Sequence, residues 1–413
     1  MTKPDHQTFR SDTPKSLRGP RLLMYSHDTF GLGHIRRTRA IANAVVSAHG
    51  ETSVLIISGS PLAGSFNFGD GIDFVHIPSV SKLKNGGYSS GSLRMDIKEV
   101  VALRQAIIHS AAQAFAPDIF IADKEPTGFQ GELLPTLSLL AKSKTRMIVG
   151  IRDVLDDPET VRNEWQARGA LAAVIDYYND VFVYGSEAFY RPLDGVPLPP
   201  ECQSKISYTG YLRRAVPKGP AVISYPKMTK SPFILATTGG GGDGASMIDL
   251  VISAYEVNKS IPLPMVVVFG PFLSRTQRRS FLDRIELLPN VEAIAFDPKI
   301  ERLMNRATAI VAMGGYNTFC EILSFDKPSL ILPRSFPRLE QTIRASRAAE
   351  LGLVRMFEET GDAMKDSHSM ALELSQLADR PRPSAAMLPD LLEGLPRVTA
   401  SLMPTLKRVA RNV

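Results

Sequence analysis

The chain has 413 residues, of which 44% are hydrophobic and 22% charged, and its mean hydropathy is -0.03. These values exclude a disordered or fibrous chain, and the length predicts two folded domains. The formal net charge of +6 favours anionic partners such as nucleotides or an anionic lipid surface. We predict no nucleic-acid binding, because the basic residues form no long runs and are not interleaved with aromatic residues.

Residues 1–20 are polar and predict a flexible tail, since they lack the apolar core of a signal peptide. The sequence has no run of about 18 apolar residues, so we predict no membrane span. Its two cysteines, Cys202 and Cys320, are far apart and form neither a disulfide framework nor a CxxC metal motif. We expect a cytoplasmic protein with no metal and no cofactor, and leave open a peripheral contact with the inner face of a membrane.

Between residues 21 and 212, short apolar runs rich in β-formers alternate with longer helical patterns. This alternation is typical of a parallel sheet with crossover helices and predicts a Rossmann-like N-terminal domain over 21–212. The predicted strands are 21–26, 52–58, 72–77, 118–123, 146–151 and 180–185.

Proline-rich stretches at 191–201 and 216–220 flank a short strand and indicate the change of domain. A second alternating series predicts another Rossmann-like domain over 213–390. Residues 391–413 predict a C-terminal helix, for which packing back on the first domain is one arrangement. The predicted fold is therefore α/β, with two Rossmann-like domains whose parallel sheets face each other across a cleft. The strands of the second series are 232–238, 264–270, 291–296, 309–313, 328–333 and 352–357.

Both halves place glycines where a strand ends and a helix begins, which is a favourable position for a phosphate. The first loop contains Gly31 and Gly33, and the second consists of Gly239, Gly240, Gly241 and Gly242. A dinucleotide site would also need an acidic residue about twenty residues further on, and neither half supplies it. Tight backbone turns without a ligand are the alternative for both loops.

Three arginines follow the first loop, Arg36, Arg37 and Arg39, in the opening turn of the predicted helix. The positive end of a helix dipole disfavours cations unless an anion or an acidic side chain is near. The arginines therefore indicate either a bound anion or carboxylates across the cleft.

A second set of polar residues follows the strand that ends at Met313. Gly314 and Gly315 permit a close backbone approach, and Asn317 or Thr318 opens a helix, so the turn predicts a second anion site. Glu321 lies one helical turn beyond Asn317, about 5 to 6 Å away, where it could meet the ribose of a nucleotide. The alternative is a capping box, because Thr318 and Glu321 have the spacing S/T-x-x-E.

The next helix start carries Glu340 and Gln341, which could meet sugar hydroxyls. Glu340 could equally be a favourable negative charge at a helix N-terminus.

In their order and approximate spacing, these motifs resemble the inverting GT-B glycosyltransferases of the MurG-like family 28 and UDP-glycosyltransferase group. The matching features are Phe296, the turn at 314–318, Glu321, Lys327-Pro328, Pro333 and Glu340-Gln341, with weaker matches at Gly31 to His34, 209–213 and the loop at 239. The chain departs from the lipid-pathway enzyme in the arginines after the first loop and in the four successive glycines. The acceptor is therefore not indicated.

The resemblance implies that a nucleotide-sugar donor, a UDP-hexose or UDP-N-acetylhexosamine, binds mainly to the C-terminal domain. Gly314, Gly315, Asn317 and Thr318 would hold the diphosphate, Glu321 the ribose, and Glu340 and Gln341 the sugar. Arg213 and the loop Gly239 to Gly242 would approach the diphosphate, and Phe296 would border the base.

The same resemblance makes His34 the cleft histidine, and we predict it to be the general base. An acceptor hydroxyl must lose a proton as it attacks C1, and a histidine with a pKa near 7 is suited to take it. A role in holding the loop is the alternative for His34. The acceptor, which could be a sugar, a lipid or a small molecule, would lie against residues of the N-terminal domain, namely Asp28, Gly31, Gly33, Lys124, Glu125 and Arg152.

Two other functions fit the same motifs. A nucleotide-sugar epimerase or hydrolase of the UDP-N-acetylglucosamine 2-epimerase type would need extra acid and base groups, for which Asp28, Asp123 and Glu125 lie at predicted strand ends. A non-catalytic nucleotide-sugar-binding protein would keep the C-terminal site and lack a base. For the transferase, we predict a reaction that inverts the configuration at C1 and needs no metal ion.

Overall fold

A computed structural model of the protein describes residues 19–27, 33–65, 68–83, 87–219, 221, 223–240 and 242–411. Three predicted site residues, Asp28, Gly31 and Gly241, lie outside these residues, as does most of the predicted tail.

The first half of the chain forms a seven-stranded sheet with all neighbouring strands parallel. Its strands follow the predicted apolar runs, and their interiors are buried because helices cover both faces. The strands in chain order are β1 (Arg21–Ser26), β2 (Ser53–Ser58), β3 (Ile72–His76), β4 (Val80–Lys82), β5 (Tyr88–Ser90), β6 (Ile119–Asp123), β7 (Arg146–Arg152), β8 (Asp180–Tyr184) and β9 (Ile206–Tyr208). The sheet order is β3-β2-β1-β6-β7-β8-β9, and β4 pairs with β5 as a separate antiparallel hairpin.

Within the described residues, six α-helices connect these strands. They are α1 (Gly33–Ala48), α2 (Ile97–Phe115), α3 (Leu134–Leu140), α4 (Pro158–Ala167), α5 (Ala170–Asp176) and α6 (Pro200–Gln203). Asp96 caps α2 through a capping box with Glu99, and Asp157 caps α4 by accepting a bond from the Thr160 amide.

The second half forms a six-stranded parallel sheet of order β12-β11-β10-β13-β14-β15. Its strands are β10 (Ile234–Thr237), β11 (Met265–Val268), β12 (Val291–Ile294), β13 (Ala309–Ala312), β14 (Ser329–Ile331) and β15 (Arg355–Met356). Its helices are α7 (Ala245–Val257), α8 (Arg275–Ile285), α9 (Glu301–Arg306), α10 (Tyr316–Phe325), α11 (Glu340–Glu350) and α12 (Ala363–Gln376). The second half thus repeats the strand–helix alternation of the first.

The last helix, α13 (Gly394–Arg411), packs on the first domain. Val398, Leu402 and Leu406 lie on one face at four-residue spacing, and all three are fully buried in the cluster that contains the apolar face of α1. The Arg146 guanidinium at the start of β7 donates to the Ser401 carbonyl at 2.5 Å. The chain therefore crosses back from the second sheet to the first at its C-terminal end.

The two domains also contact each other beside the cleft. The Arg344 guanidinium of α11 makes two bonds of 2.7 and 2.8 Å to Asp153 of the first domain, and both side chains are fully buried. The Tyr316 hydroxyl of α10 donates to the Tyr184 carbonyl at the end of β8 at 2.9 Å. These bonds fix the start of α10 against the carboxyl edge of the first sheet.

Candidate active site

A cavity of about 230 Å³ lies between the carboxyl ends of the two sheets, and both domains line it. In open parallel sheets this edge is where ligands bind, because loops and helix starts converge there. The first domain contributes Gly33, His34, Arg36, Arg37 and Arg152. The second contributes Thr237, Thr238, Gly239, Gly240, Gly242, Asp243, Val268, Phe296, Asp297, Pro298, Ile300, Met313, Gly315, Tyr316, Asn317, Thr318, Glu321, Arg334 and Gln341.

Several helices begin at this cavity. Two of them, α9 and α11, carry an acidic residue in the first turn, Glu301 and Glu340. Three others are α7, which follows the glycine loop, α10, and α1. None of these three has an acidic residue in its first turn, and neither α7 nor α10 has a side-chain cap at its N-cap glycine, Gly244 or Gly315. The amides of a helix start and the helix dipole together attract an anion. The cavity is therefore suited to a phosphate group.

The glycines in these turns are present for different structural reasons. Gly239 and Gly314 have φ angles of +67° and +76°, which side chains rarely adopt. A Cβ on Gly314 would also lie 2.8 Å from the Ile331 Cγ2 atom, whereas a Cβ on Gly315 would meet no atom within 4 Å. Gly314 is therefore required by the fold, and Gly315 leaves open space in the cavity.

One hydrogen bond joins the two facing helix starts. The Asn317 side-chain amide in α10 donates to the Gly33 carbonyl at 3.0 Å. Its oxygen accepts from the Arg214 guanidinium at 2.7 Å. Asn317, predicted to hold the diphosphate, thus lies at the cavity and also connects the two domains.

His34 is the second residue of α1, and its Nδ1 atom is hydrogen-bonded to the Asp123 carboxylate at the end of β6. Arg37, one turn further along α1, donates two bonds of 2.7 Å to the same carboxylate. Burial acts to raise the pKa of Asp123, but Arg37 and His34 outweigh it and hold that pKa below its usual range. Asp123 therefore stays ionised and fixes the orientation of the His34 ring.

A carboxylate bonded to one ring nitrogen of a histidine sets the tautomer and makes the other nitrogen the one that exchanges protons with a substrate. In His34 the carboxylate favours Nε2 as that nitrogen, while the Arg37 guanidinium also lies 3.0 Å from Nδ1. His27 lies beside it, with ring centroids 5.7 Å apart. Burial and the nearby Lys124 hold the pKa of His27 well below its ordinary value, so His27 stays neutral and is less suited to take a proton.

Arg36 reaches across the cleft to two carboxylates of the second domain. Its guanidinium lies 2.8 Å from Glu301 and is also bonded to Glu321, which is only 1% exposed. Burial raises the pKa of Glu321 despite this cation; it acts in the same sense on Glu301, but there Arg36 outweighs it and lowers the pKa. Of the two predicted explanations for the arginines, carboxylates across the cleft thus account for Arg36.

The capping-box alternative for Thr318 and Glu321 is wrong. Helix α10 begins at Tyr316 with Gly315 as its N-cap, one turn earlier than a Thr318 cap requires, and no side chain caps it. The Glu321 carboxylate instead turns toward Arg36, and both Thr318 and Glu321 line the cavity. The ribose role of Glu321 stays a prediction.

Arg213 does not reach the cavity. Its side chain is exposed, and Arg214 is the arginine that turns inward to bond Asn317. Leu212 forms a β-bridge with Glu393, and successive side chains of an extended segment point to opposite sides. The structure therefore gives no support to a diphosphate contact by Arg213, and Arg214 bonds Asn317 from outside the cavity lining.

At the start of α11, Glu340 is engaged by arginines. Its carboxylate lies 2.5 Å from Arg152 and 3.3 Å from Arg334. Burial acts to raise the pKa of Glu340, but Arg152, Arg344 and Arg334 outweigh it and hold the pKa at about 2. Glu340 therefore positions two of the cations that line the cavity, while its neighbour Gln341 lines the cavity itself.

The predicted acceptor residues separate into two places. Gly33 and Arg152 line the cavity between the domains. Lys124 lines a second cavity, to which Arg338 of the second domain also contributes, and the Glu125 carboxylate lies outside its lining, 2.7 Å from Arg168. Residue-by-residue assignment to an acceptor stays a prediction.

Sequence reasoning missed Asp123 as the partner of His34, and it missed Glu301, Arg214 and Arg334 altogether. The position of Asp123 at the end of a buried strand was a usable signal, because strand ends of one sheet meet at one edge. For the other three no local pattern distinguishes them from surface residues.

Among the residues that the structure describes, no cluster of three or more His, Cys, Asp or Glu side chains is arranged to hold a metal ion. In the same part of the chain, no helix combines the length and apolarity needed to cross a bilayer.

Comparison with known proteins supports the architecture. Residues 235–378 match the glycosyltransferase family 28 C-terminal domain. An "uncharacterized glycosyltransferase" of Methanosarcina mazei is 22% identical over 348 residues, covering 79% of this chain and 83% of that protein. The structure of the glycosyltransferase VinC in complex with DTDP is similar with a TM-score of 0.59 at 18% identity, covering 95% of this chain and 100% of VinC. MurG of Acinetobacter baumannii is similar with a TM-score of 0.56 at 11% identity, covering 94% and 99%.

These findings confirm the predicted resemblance. The chain has the GT-B glycosyltransferase fold, with two Rossmann-like sheets facing a cleft, and its second sheet lies in a family 28 C-terminal domain. The family match and the glycosyltransferase relatives support a transferase enzyme.

Proposed function

We propose that the protein transfers a sugar from a nucleoside-diphosphate sugar to an acceptor hydroxyl, with His34 as the general base. The observation that supports this proposal is that one cavity contains both a candidate base and a candidate diphosphate site. The His34–Asp123 pair lies on the first domain, and the anion-attracting starts of α7 and α10 lie on the second. A substrate with a diphosphate at one end and a reacting carbon at the other fits between them.

In the proposed reaction, the acceptor oxygen forms a bond to C1 of the sugar while the bond from C1 to the diphosphate oxygen breaks. The acceptor proton passes to Nε2 of His34, and the resulting imidazolium is stabilised by the Asp123 carboxylate. The electron pair leaves with the diphosphate. In this proposal the base belongs to the first domain and the leaving-group site to the second, and this supports an in-line attack with inversion of configuration at C1.

The leaving diphosphate gains negative charge, and the proposed site supplies fixed positive groups for it. The helix starts of α7 and α10 aim backbone amides at the cavity, and Arg152 and Arg334 line it. Preorganised donors of this kind stabilise developing charge without reorientation of solvent. We therefore propose a transfer that needs no metal ion.

For the donor, we propose a UDP-hexose or UDP-N-acetylhexosamine, with Phe296 bordering the base and Glu321 near the ribose. Phe296 and Glu321 line the same cavity as the helix starts, which supports this placement. The DTDP in the VinC complex supports a nucleoside diphosphate as the shared part of the ligand. The cytoplasmic location and the membrane contact stay predictions.

The epimerase alternative has less support from the geometry. It needs carboxyl groups that exchange protons at the sugar ring, but Asp123 is bonded to Arg37 and His34, and Glu125 is paired with Lys124 and Arg168. Burial opposes ionisation of Glu125, yet these cations outweigh it and hold the pKa at about 2. Both carboxylates are thus committed to cations and are poor acids.

The test is His34→Gln, with His368→Gln on the exposed surface of α12 as the matched control. Nucleoside diphosphate release is measured with a panel of nucleotide sugars and acceptors, and donor affinity by calorimetry. We expect His34→Gln to lower kcat by about 100- to 10,000-fold, the usual contribution of a general base, with donor affinity nearly unchanged. An unchanged rate would remove His34 from the mechanism, and release that is independent of any acceptor would favour a hydrolase or epimerase.

A further inference from the structure

A second cavity, of about 330 Å³, is lined by residues of the first domain and by Arg338 of the second. His27 lines it and stands 5.7 Å, ring to ring, from His34. A molecule in this cavity would therefore be separated from the proposed base by the His27 ring. The lining is His27, Tyr88, Lys124, Thr127, Gly128, Phe129, Gln130, Gly131, Ala167, Arg168 and Arg338.

The wall of this cavity is positively charged. Lys124, Arg168 and Arg338 line it, and none of the described residues in its lining is acidic. Three carboxylates balance these cations from outside the lining: Glu125 lies 2.7 Å from Arg168, and Glu164 and Asp156 lie 2.5 and 3.0 Å from Arg338. The cations therefore face the cavity while their partners lie behind them. The field inside the cavity therefore favours an anion.

Lys124 has the fewest protein contacts of the three cations. Its ammonium lies 3.5 Å from the Glu125 carboxylate, a distance too long for a strong hydrogen bond. Only 18% of its side chain is exposed, and burial, together with Arg152 and Arg338, lowers the pKa of the ammonium. An anionic group in the cavity would add a close hydrogen-bond partner to this long ion pair.

The backbone at Lys124 is also unusual. Its φ angle is +71°, in the left-handed region that favours glycine, although it directly follows Asp123, the partner of His34. Such a conformation costs free energy and is retained where surrounding structure requires a side chain in one direction. With this backbone conformation, Lys124 lines the cavity.

The opposite part of the lining is aromatic. Tyr88 and Phe129 pack edge to face with ring centroids 4.8 Å apart. Their rings offer an apolar surface to the body of a ligand. The cavity thus combines a cationic end with an aromatic wall.

Resting on the proposed transferase function, we infer that this cavity binds an acceptor that carries a carboxylate or phosphate group, held by Lys124, on a body that packs against Tyr88 and Phe129. The acceptor hydroxyl would then extend past His27 toward His34. The inference defines the acceptor as an acidic molecule with an apolar part.

The experiment compares matched ligands on the full-length protein in saturating UDP, which fills the donor cleft. 3-Hydroxybenzoate is compared with its neutral methyl ester, and phenyl phosphate with phenol, by calorimetric titration. We expect at least one anion to bind about tenfold or more tightly than its neutral match, since a charge-assisted hydrogen bond contributes on this scale. The arm with the larger preference identifies carboxylate or phosphate.

Lys124→Gln should abolish the preference for the anion while leaving the affinity for UDP unchanged, and Lys365→Gln on the exposed surface of α12 should retain it. Thermal unfolding of each variant checks that it is folded. Equal affinity for anion and neutral match, a preference that persists in Lys124→Gln, or binding that UDP abolishes would overturn the inference. Failure of UDP and other nucleoside diphosphates to bind would instead contradict the proposed function.

Discussion

Replacing Gly315 by alanine separates a ligand role of the α10 turn from a structural one. Gly315 has φ −58° and ψ 150°, which alanine adopts without strain, and a Cβ there would meet no atom within 4 Å. Alanine in place of glycine restricts the unfolded chain, which stabilises the folded protein by about 0.4–1 kcal/mol. Alanine is a poorer N-cap residue than glycine, which costs a similar amount. We therefore expect the free energy of unfolding to change by less than about 0.5 kcal/mol.

The effect on the donor should be much larger. The added methyl group enters the cavity at the start of α10, where a phosphate oxygen must approach the backbone amides to about 3 Å. Loss of one hydrogen bond to a charged group costs about 1.5–3 kcal/mol, which corresponds to a 10- to 150-fold weaker affinity. Calorimetric titration with UDP and DTDP measures this change, and denaturant unfolding measures stability.

Gly314→Ala is the matched control, because it strains the turn without placing a methyl group in the open space at Gly315. Its φ of +76° costs alanine about 1–2 kcal/mol, and its Cβ would lie 2.8 Å from the Ile331 Cγ2 atom. We expect it to lower stability by about 2 kcal/mol or more. If Gly315→Ala binds nucleoside diphosphates as tightly as the wild type, the phosphate does not approach this helix start and the donor placement is wrong.

Two further predictions concern the ion pairs between the domains. Arg344→Met should destabilise the protein by about 3–5 kcal/mol in urea unfolding, because it leaves the fully buried Asp153 carboxylate without its cation. A double variant with Asp153→Asn should recover part of this loss. If it recovers none, the ion pair is not the cause of the lost stability. Glu340→Gln should cost up to about 3 kcal/mol at pH 7. The pKa of Glu340 is about 2 when folded and near 4.5 when unfolded, so its contribution is complete above pH 4.5 and declines as the pH falls toward 2. Unfolding at pH 7 and pH 3 should show the gap between variant and wild type narrowing, and a constant gap would contradict the prediction.

The strands could be predicted because parallel strands buried on both faces are short, continuous apolar runs. The runs at 21–26 and 309–313 match β1 and β13 to within one residue. The turn at Gly314 was equally readable, since a strand end followed by two glycines and a helix has few alternatives. These features depend on neighbours in the sequence, and the sequence contains them.

Contacts between distant segments could not be read in this way. Arg36 and Glu321 are 285 positions apart, so nothing local shows that the predicted ribose ligand also binds an arginine of the other domain. Whether Arg213 or Arg214 points inward depends on the register of an extended segment, because a shift of one residue turns every side chain to the other side. Charge at a helix start did indicate that Arg36 needs an anion, but it did not identify which one.

The geometry of the proposed reaction depends on a few of these long-range contacts. His34 follows Gly33, and the Gly33 carbonyl accepts a bond from Asn317 at the opposite helix start. That bond places Gly33, the neighbour of the proposed base, against the turn that would hold the diphosphate. Tyr316, the neighbour of Asn317, fixes the same turn to the first sheet through the Tyr184 carbonyl. The distance from base to leaving group is therefore set by the packing of the two domains against each other, and either site alone would bind its ligand without bringing the acceptor oxygen to C1.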